Sequence, residues 1–292
     1  MSEKIIVVGG GPGGYVAAIR AAQLGAEVTL IEREYVGGTC LNVGCIPTKC
    51  LLHSAELLYE LRTRGASLGV LADNIRVDFP QVIANKNGVC KKLTGGVASL
   101  VKANGVQRIS GTASFIGPKQ LRTALADGAE QTLACDKMIL ATGSVNAVPP
   151  IPGIKENPNC IDSTGALSLE KLPETMVVIG GGVIGLELAC AYAAFGTQIT
   201  VVEALEGSER LTGLTLRNTA VGEVSHLPVS ALFQAVGLLP ESRLARSLGV
   251  PVDEAGFIAA GEDCLTPIPG IFAAGDLRAK EVRQLTTACA DG

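Results

Sequence analysis

The stretch IIVVGGGPGG, residues 5–14, decides the fold of this chain. Its four apolar residues predict a short strand, its glycines predict a tight turn, and an alanine-rich helix is predicted over residues 15–24. A second predicted strand, 27–31, leads into Glu32. A strand, a glycine turn, a helix and a strand in this order indicate a βαβ unit of a nucleotide-binding α/β fold.

Three glycines of this turn have the spacing that the pyrophosphate of a dinucleotide requires. Gly9 suits the tight turn, Gly11 the close approach of phosphate, and Gly14 the packing of the helix on the strand. The N-terminus of the following helix offers amide donors to the same group. Glu32 follows Gly14 by 18 residues, where a carboxylate accepts hydrogen bonds from both ribose hydroxyls. We therefore predict nucleotide binding, the alternative being a flexible glycine turn.

The same order of elements returns later in the chain. Strands are predicted at 176–179 and 198–202, on either side of a helix at 186–195. The predicted fold is therefore α/β, with two nested Rossmann-like dinucleotide-binding domains. The second domain is predicted to be shortened, because residues 203–235 are too few for the elements that complete such a sheet.

The second glycine turn predicts a preference for NADH. Gly180, Gly182 and Gly185 repeat the spacing of the first turn, and Glu203 again follows the last glycine by 18 residues. A carboxylate at this place repels the extra phosphate of NADP, and no arginine directly follows it to bind that phosphate. The open alternative is a unit that folds but holds no cofactor.

The stretch GTCLNVGCIPTK, residues 38–49, places four residues between Cys40 and Cys45. In a regular helix, the Cα atoms of residues five apart lie about 8.6 Å from each other, beyond the ~7 Å limit for a disulfide. Gly44 and Pro47 permit a distorted turn. A disulfide held in imposed geometry is typically reducible, so we interpret this pair as catalytic.

Composition narrows the class of protein. The chain has 292 residues, of which 47% are hydrophobic and 18% charged, with a formal net charge of −4. These values predict a globular chain of two domains, with neither nucleic acid nor membrane as partner. Nine cysteines and a start without a signal peptide's apolar core predict a cytoplasmic location. No metal is predicted, because only His53 and His226 could join the isolated cysteines.

Residues 38–52, the two glycine turns and residues 141–144 resemble the class I pyridine nucleotide-disulfide oxidoreductases, most of all their dihydrolipoamide dehydrogenase branch. The resemblance implies tightly bound FAD, an NAD(H) site and a dithiol relay to a small or protein disulfide. It also implies an FAD-binding domain with a first part at 1–150 and a return segment at 236–292. The shortened NAD-binding domain would occupy 151–235.

The resemblance also implies a role for individual residues. Cys45 would be the thiol nearer the flavin, and Cys40 the thiol that attacks the substrate disulfide. Lys49 would lie near flavin N5 and pair with Glu187, the alternatives being a solvated lysine and a carboxylate on a helix surface. Asp276 would accept from the ribityl chain. FAD would be bound by Gly9, Gly11, Gly14, Glu32, Gly38, Thr39, Lys49, Thr142, Gly143, Gly275, Asp276, Arg283 and Gln284, and NAD by Gly180, Gly182, Gly185 and Glu203.

The chain departs from the dihydrolipoamide dehydrogenase pattern in its last part. That branch ends with a dimerisation domain, which supplies a histidine and glutamate pair to the partner subunit, whereas this chain stops at Gly292. Residues 275–292 are instead similar to small bacterial thioredoxin reductases, in which an arginine and a glutamine lie near the flavin ring. An uncovered apolar surface would favour a homo-oligomer.

Two other functions stay open at this point. One is an NADH oxidase or flavin reductase with diaphorase activity, in which the thiols relay electrons only to peroxide or oxygen. The other is a truncated, non-catalytic flavin-binding remnant whose nicotinamide unit does not close.

Overall fold

The structure is a computed structural model that describes residues 2–117, 119–125, 127–151, 154–202, 214–217, 224–227 and 231–292. Two compact units make up the chain. Unit 1 consists of Met1–Asn42, Lys91–Val145 and Leu238–Gly292, and unit 2 of Val43–Cys90 and Asn146–Gly237. The predicted cofactor domains, 1–150, 151–235 and 236–292, stay a prediction.

Helices and strands alternate around the two βαβ units, and runs of strands separate these parts of the chain. The helices are α1 Pro12–Gln23, α2 Gly38–Asn42, α3 Cys45–Thr63, α4 Phe79–Ala103, α5 Ser163–Ala166, α6 Val183–Phe195, α7 Arg243–Ser247 and α8 Leu285–Asp291. The strands are β1 Lys4–Val8, β2 Glu27–Glu32, β3 Gln107–Gly117, β4 Gln120–Leu125, β5 Glu130–Ala134, β6 Lys137–Leu140, β7 Ser144–Asn146, β8 Cys160–Ile161, β9 Thr175–Ile179, β10 Gln198–Val202, β11 Leu214–Arg217, β12 Val224–Leu227, β13 Leu232–Gln234, β14 Leu238–Pro240 and β15 Ile271–Ala273.

Unit 1 is built on a seven-stranded sheet with the order β15-β6-β1-β2-β3-β4-β5. The strands from β15 to β3 are parallel, and β3, β4 and β5 pair antiparallel. The parallel strands are apolar because both faces of the sheet are covered. One face packs on α1 through Val7 and Leu30, and the other, which includes Leu140 of β6, packs on residues that include Ile258. Helix α1 thus connects two neighbouring parallel strands, as a βαβ unit requires.

Unit 2 is built on a four-stranded parallel sheet with the order β10-β9-β13-β8. Helix α6 connects β9 to β10 and forms the second βαβ unit. Tyr192 of α6 is fully buried and donates a hydrogen bond to the Ala166 carbonyl oxygen. Helix α3 packs against α6, with Leu51 and Leu58 in the same core. The predicted α/β fold with two Rossmann-like units is confirmed.

The ends of the helices follow from local chemistry. Pro12 begins α1, where its missing N–H is not needed. Gly196 ends α6 in the left-handed region with φ of +118°, which favours glycine. The helices that follow the two glycine turns, α1 and α6, begin three residues earlier than the sequence analysis expects, at Pro12 and Val183. The last glycines of each turn therefore already belong to the first helical turn.

Candidate functional site

The first glycine turn leaves no room for side chains. A Cβ atom at Gly9 would overlap the Ala141 carbonyl oxygen, and one at Gly14 would overlap the Gly9 carbonyl oxygen. A Cβ at Gly13 would lie 3.1 Å from the Cα atom of Gly275. The turn is therefore closed in by β6 on one side and by the segment before α8 on the other.

Helix α2 begins against the same turn. A Cβ at Gly38 would lie 2.6 Å from the Cα atom of Gly11, and Gly38 has a φ of +59°. The Gly37 amide donates to the Gly10 carbonyl oxygen at 2.8 Å. The N-terminal residues Gly38 and Thr39 of α2 thus lie beside the first glycine turn. Their amide groups add to the partial positive charge at the N-terminus of α1.

Glu32 contacts the first glycine turn, where the sequence predicts a ribose-binding carboxylate. Its Oε2 atom accepts from the Gly10 amide at 2.5 Å, and its Oε1 atom accepts from the Glu34 amide at 2.8 Å. An ionised carboxylate has about four acceptor positions, so two remain after these bonds.

Thr142 and Gly143 follow β6 at its carboxyl end, beside Ala141 and the first glycine turn. The Thr142 hydroxyl donates to the Glu241 carbonyl oxygen at 2.7 Å, and the Glu241 amide donates to the Gly143 carbonyl oxygen at 2.9 Å. Gly143 has a φ of +68° and open space at its Cβ position. This turn therefore leaves an open approach at the carboxyl edge of the sheet, where ligands of such folds bind.

Asp276 has a buried oxygen that no described protein group satisfies. Its Oδ1 atom has no hydrogen-bond partner among the described residues, and Lys280 Nζ lies 3.8 Å away. Burial raises the pKa of this carboxyl, while the charges of Lys280 and Arg283 oppose the rise. Since buried acceptors are normally paired, this atom indicates a place for a ligand hydroxyl.

Arg283 and Gln284 lie just before α8. The Arg283 guanidinium lies over the Phe257 ring, 3.8 Å from its centroid, and its Nε atom is buried without a hydrogen-bond partner among the described residues. Gln284 is the N-cap of α8 and forms a capping box with Thr287. Phe257 is a contact that the sequence analysis does not identify, and its position in the sequence gives no signal for it.

The two central cysteines lie on successive helices. Cys40 is a buried residue of α2 in unit 1, and Cys45 is the half-buried first residue of α3 in unit 2. The helical conformation is interrupted at Val43 and Gly44, and Gly44 has φ of −140° and ψ of −115°. The expectation that no regular helix runs from Cys40 to Cys45 is thus confirmed.

Lys49 and Glu187 form an ion pair in unit 2. Lys49 Nζ lies 3.6 Å from Glu187 Oε1, with the two side chains 63% and 34% exposed. Lys49 follows Cys45 by four residues on α3, so the two side chains share one face of that helix. The pair that the sequence resemblance implies is present, but it lies within unit 2 and not, as the resemblance implies, across the interface of two domains.

The second glycine turn is closed on one side only. A Cβ at Gly180 would overlap the Ala235 carbonyl oxygen, and one at Gly185 would overlap the Gly180 carbonyl oxygen. Gly182 is the N-cap of α6, and no described residue lies within 4 Å of its Cβ position. Glu203, the predicted ribose ligand of this unit, lies outside the described residues.

Two further findings concern absences. Within the described ranges, no group of three or more histidine, cysteine or carboxylate side chains could hold a metal ion. In the same part of the chain, no helix combines the length and the apolar character that a bilayer crossing needs. His53 is exposed on α3, and the side chain of His226 is outside what the structure describes.

Comparison with known proteins gives the same family throughout. The profile of the family described as pyridine nucleotide-disulphide oxidoreductase matches residues 3–220 and 206–292. A dihydrolipoyl dehydrogenase of Geobacillus stearothermophilus is 39% identical over 95% of this chain and 66% of its own length. One of Acholeplasma laidlawii is 36% identical over 95% of this chain and 90% of its own length.

Solved structures agree with the sequence relatives. The HOCl-induced flavoprotein disulfide reductase RclA from Escherichia coli, solved as a Cu(II) complex, is similar with a TM-score of 0.84 at 27% identity. That similarity covers 100% of this chain and 69% of RclA. The chain spans 66%, 62% and 65% of the dihydrolipoyl dehydrogenases of Geobacillus stearothermophilus, Arabidopsis thaliana and Bacillus subtilis.

Proposed function

This chain belongs to the pyridine nucleotide-disulphide oxidoreductase family, and from that premise we propose that it is an FAD-dependent, NADH-linked disulfide oxidoreductase. It is of the dihydrolipoyl dehydrogenase kind, and its substrate is a small or protein disulfide. The observation that carries the proposal is the closed glycine turn of unit 1, beside which the Asp276 Oδ1 atom is buried without a hydrogen-bond partner among the described residues.

The residues of unit 1 fit FAD. The amides at the start of α1 and α2 bind a pyrophosphate, Glu32 has acceptor positions left for ribose hydroxyls, and Asp276 accepts from the ribityl hydroxyls. Arg283, stacked on Phe257, has a buried Nε without a hydrogen-bond partner among the described residues and would donate to an acceptor of the flavin. When bound, FAD and NADH would supply the electron pair that reduces the cysteines.

The two cysteines carry out thiol–disulfide exchange with the substrate. The Cys40 thiolate attacks one sulfur of the substrate disulfide, which breaks the S–S bond and releases the first substrate thiol. The Cys45 thiolate then attacks the Cys40 sulfur, releases the second thiol and leaves a Cys40–Cys45 disulfide. Cys45 is the first residue of α3, where the helix dipole favours a negatively charged sulfur.

Lys49 and Glu187 support this chemistry from one turn further along α3. An ammonium on the same helix face as Cys45 stabilises its thiolate, and Glu187 keeps the lysine side chain in place. Because both side chains are partly exposed, the pair contributes little to stability, and its role is to orient charge.

NADH binds the second unit through the start of α6. Gly182 and its neighbours leave room for a pyrophosphate at that helix N-terminus. Glu203 is the residue proposed to favour NADH over NADPH. The cytoplasmic location and the self-association remain predictions from the sequence.

A spectrum of the purified chain with FAD tests this function. Bound flavin gives a yellow protein, and two-electron reduction gives a long-wavelength band from a thiolate beside the flavin. We expect Cys45→Ser to abolish this band and Cys40→Ser to keep it. Each variant should lower NADH-dependent disulfide reduction by at least about 10³-fold, as loss of a nucleophile does. Cys190→Ser, at an exposed cysteine of α6, is the matched control and should change neither.

Two outcomes contradict the proposed function and point to another one, and a third contradicts the role of Cys45. A flavoprotein that oxidises NADH with peroxide or quinones, but reduces no disulfide, is an NADH oxidase or flavin reductase. A colourless protein that does not take up FAD is a remnant. A long-wavelength band that survives in Cys45→Ser assigns the thiolate to another cysteine.

A further inference from the structure

Asp291, at the end of α8, is the centre of a buried ion network in unit 1. Its Oδ2 atom accepts from the Gly275 amide at 2.9 Å and from Lys280 Nζ at 3.0 Å. Its Oδ1 atom accepts from Arg278 Nη2 at 2.7 Å. The side chains of Arg278, Lys280 and Asp291 are 4%, 6% and 4% exposed, so water contributes little to these contacts.

Arg278 is fixed in this network by several further bonds. Its Nη1 group donates to the carbonyl oxygens of Ala260 and Gly261 at 3.3 and 3.0 Å, and to Glu262 Oε1 at 3.2 Å. Burial raises the pKa of Asp291, but the bonds from Arg278, Lys280 and the Gly275 amide more than offset it, so the pKa lies below its ordinary value. Asp291 is therefore held as a carboxylate between two cations and an amide.

Lys280 lies between two carboxylates and forms a hydrogen bond with only one of them. Its Nζ is 3.0 Å from Asp291 and 3.8 Å from the Oδ1 atom of Asp276, the same atom that has no hydrogen-bond partner. Hydrogen bonds between charged groups are about twice as strong as neutral ones. If Lys280 bonded Asp276 directly, it would compete with any ligand hydroxyl for that oxygen.

We propose that Asp291 is a positioning residue, which holds Lys280 away from Asp276 and fixes the Gly275 amide so that Asp276 stays available to the ribityl hydroxyls of a flavin. The proposal rests on the proposed function, because it deepens the account of the flavin site. Asp291 touches no ligand itself, and it acts through the turn at Gly275 and through the position of Lys280.

Asp291→Asn tests this role in the full chain. Without the negative charge, Lys280 is expected to move onto Asp276, and the Kd for FAD should rise about 10-fold, the loss of one charged hydrogen bond. ADP is the control ligand, because it has the adenosine and pyrophosphate of FAD but no ribityl chain. Its affinity should stay unchanged in Asp291→Asn. All titrations are made at one mildly alkaline pH, because burial raises the pKa of the Asp276 carboxyl.

Removal of Lys280 separates positioning from general damage. Lys280→Met alone should leave the affinity for FAD unchanged, and the double variant Asp291→Asn with Lys280→Met should bind FAD more tightly than Asp291→Asn. General damage to the fold predicts the reverse, because a second lost side chain adds to it. Lys280→Met also keeps the test open if Asp291→Asn does not fold.

Several results would overturn the proposal. They are an unchanged FAD affinity in Asp291→Asn, a parallel loss of ADP affinity, a double variant no better than the single one, and a tenfold loss in Lys280→Met alone. A wild-type chain that binds ADP but not FAD would instead refute the proposed function, and this inference with it.

Discussion

The two glycine turns have the same spacing but different surroundings. The turn at residues 9–14 is enclosed by Ala141, Gly38 and Gly275, which belong to three other segments of unit 1. The turn at residues 180–185 meets Ala235, while no described residue lies within 4 Å of a Cβ position at its middle glycines. The difference teaches that one local sequence pattern can occur in two different surroundings, and under the proposed function the two turns serve two purposes. An enclosed turn suits a resident cofactor, and an open turn suits a nucleotide that enters and leaves.

The largest expected effect comes from an alanine at a crowded position of the first turn, compared with an alanine at an open position of the second. The two positions are not counterparts, because Gly185, which corresponds to Gly14, is crowded as well. Gly14→Ala should lower the free energy of unfolding by about 3 kcal/mol, because its Cβ would overlap the Gly9 carbonyl oxygen. The protein should also be purified without flavin. Gly181→Ala is the control, since no described residue lies within 4 Å of its Cβ position. Thermal unfolding and flavin absorbance measure both effects, and equal losses in the two variants would contradict the comparison.

The carboxylates that follow the two turns give a second test. Glu32→Gln loses the charge that binds the Gly10 and Glu34 amides, and should cost about 2 kcal/mol of stability together with FAD affinity. Glu203→Gln should leave FAD bound and raise the rate with NADPH relative to NADH. Flavin titration and steady-state rates with the two nucleotides measure these changes. A loss of FAD in Glu203→Gln would show that the two turns do not act separately.

Replacement of Asp276 should have a smaller effect on stability than the changes above. It should raise the stability of the ligand-free protein and lower the affinity for FAD. Burial raises the pKa of the Asp276 carboxyl above the pKa in the unfolded chain. In the ligand-free protein, stability therefore falls as the pH rises from the unfolded-state pKa through the folded-state pKa, because the buried carboxyl becomes charged. Asp276→Asn should therefore raise the ligand-free free energy of unfolding near neutral pH by about 1 kcal/mol, the lower end of the cost of an unsatisfied buried polar group. FAD affinity should fall. Denaturant titrations with and without FAD measure the two signs, and a ligand-free protein that loses stability would contradict the assignment.

The smallest stability effect is expected at Lys49. The ion pair with Glu187 spans 3.6 Å and is partly exposed, so Lys49→Met should change the free energy of unfolding by no more than about 0.5 kcal/mol. Disulfide reduction should nevertheless slow, because the thiolate loses a nearby cation. Glu187→Gln is the companion variant and should also slow disulfide reduction, but by less than Lys49→Met. Full activity in Lys49→Met would remove this residue from the proposed chemistry.

The sequence predicts those parts of the fold whose causes are local. Strand β10 is found at the predicted residues, and β1 begins only one residue earlier than expected. The sequence analysis predicts no element where α4 lies, over residues 79–103, although this helix has 25 residues. Gly88, Gly95 and Gly96 lower its intrinsic helix propensity, and tertiary packing overrides that preference.

The candidate site likewise has residues that the sequence predicts and contacts that it does not predict. The glycine turns, the cysteine pair and Glu32 are visible as spacings along the chain, because each belongs to one motif. The network around Asp291 joins residues from 260 to 291 and the turn at Gly275, and its geometry depends on long-range packing that no spacing encodes. The stacking of Arg283 on Phe257 has the same origin.

The division of the chain into units has a consequence for how the protein can be handled. The polypeptide passes from one unit to the other after Asn42, Cys90, Val145 and Gly237. Neither unit is therefore a continuous gene segment, and excision of either leaves the other with loose ends. Two of these four crossings lie inside elements, after Cys90 in α4 and after Val145 in β7, so separation of the units would cut a helix and a strand. Subcloning one half should thus give an insoluble product.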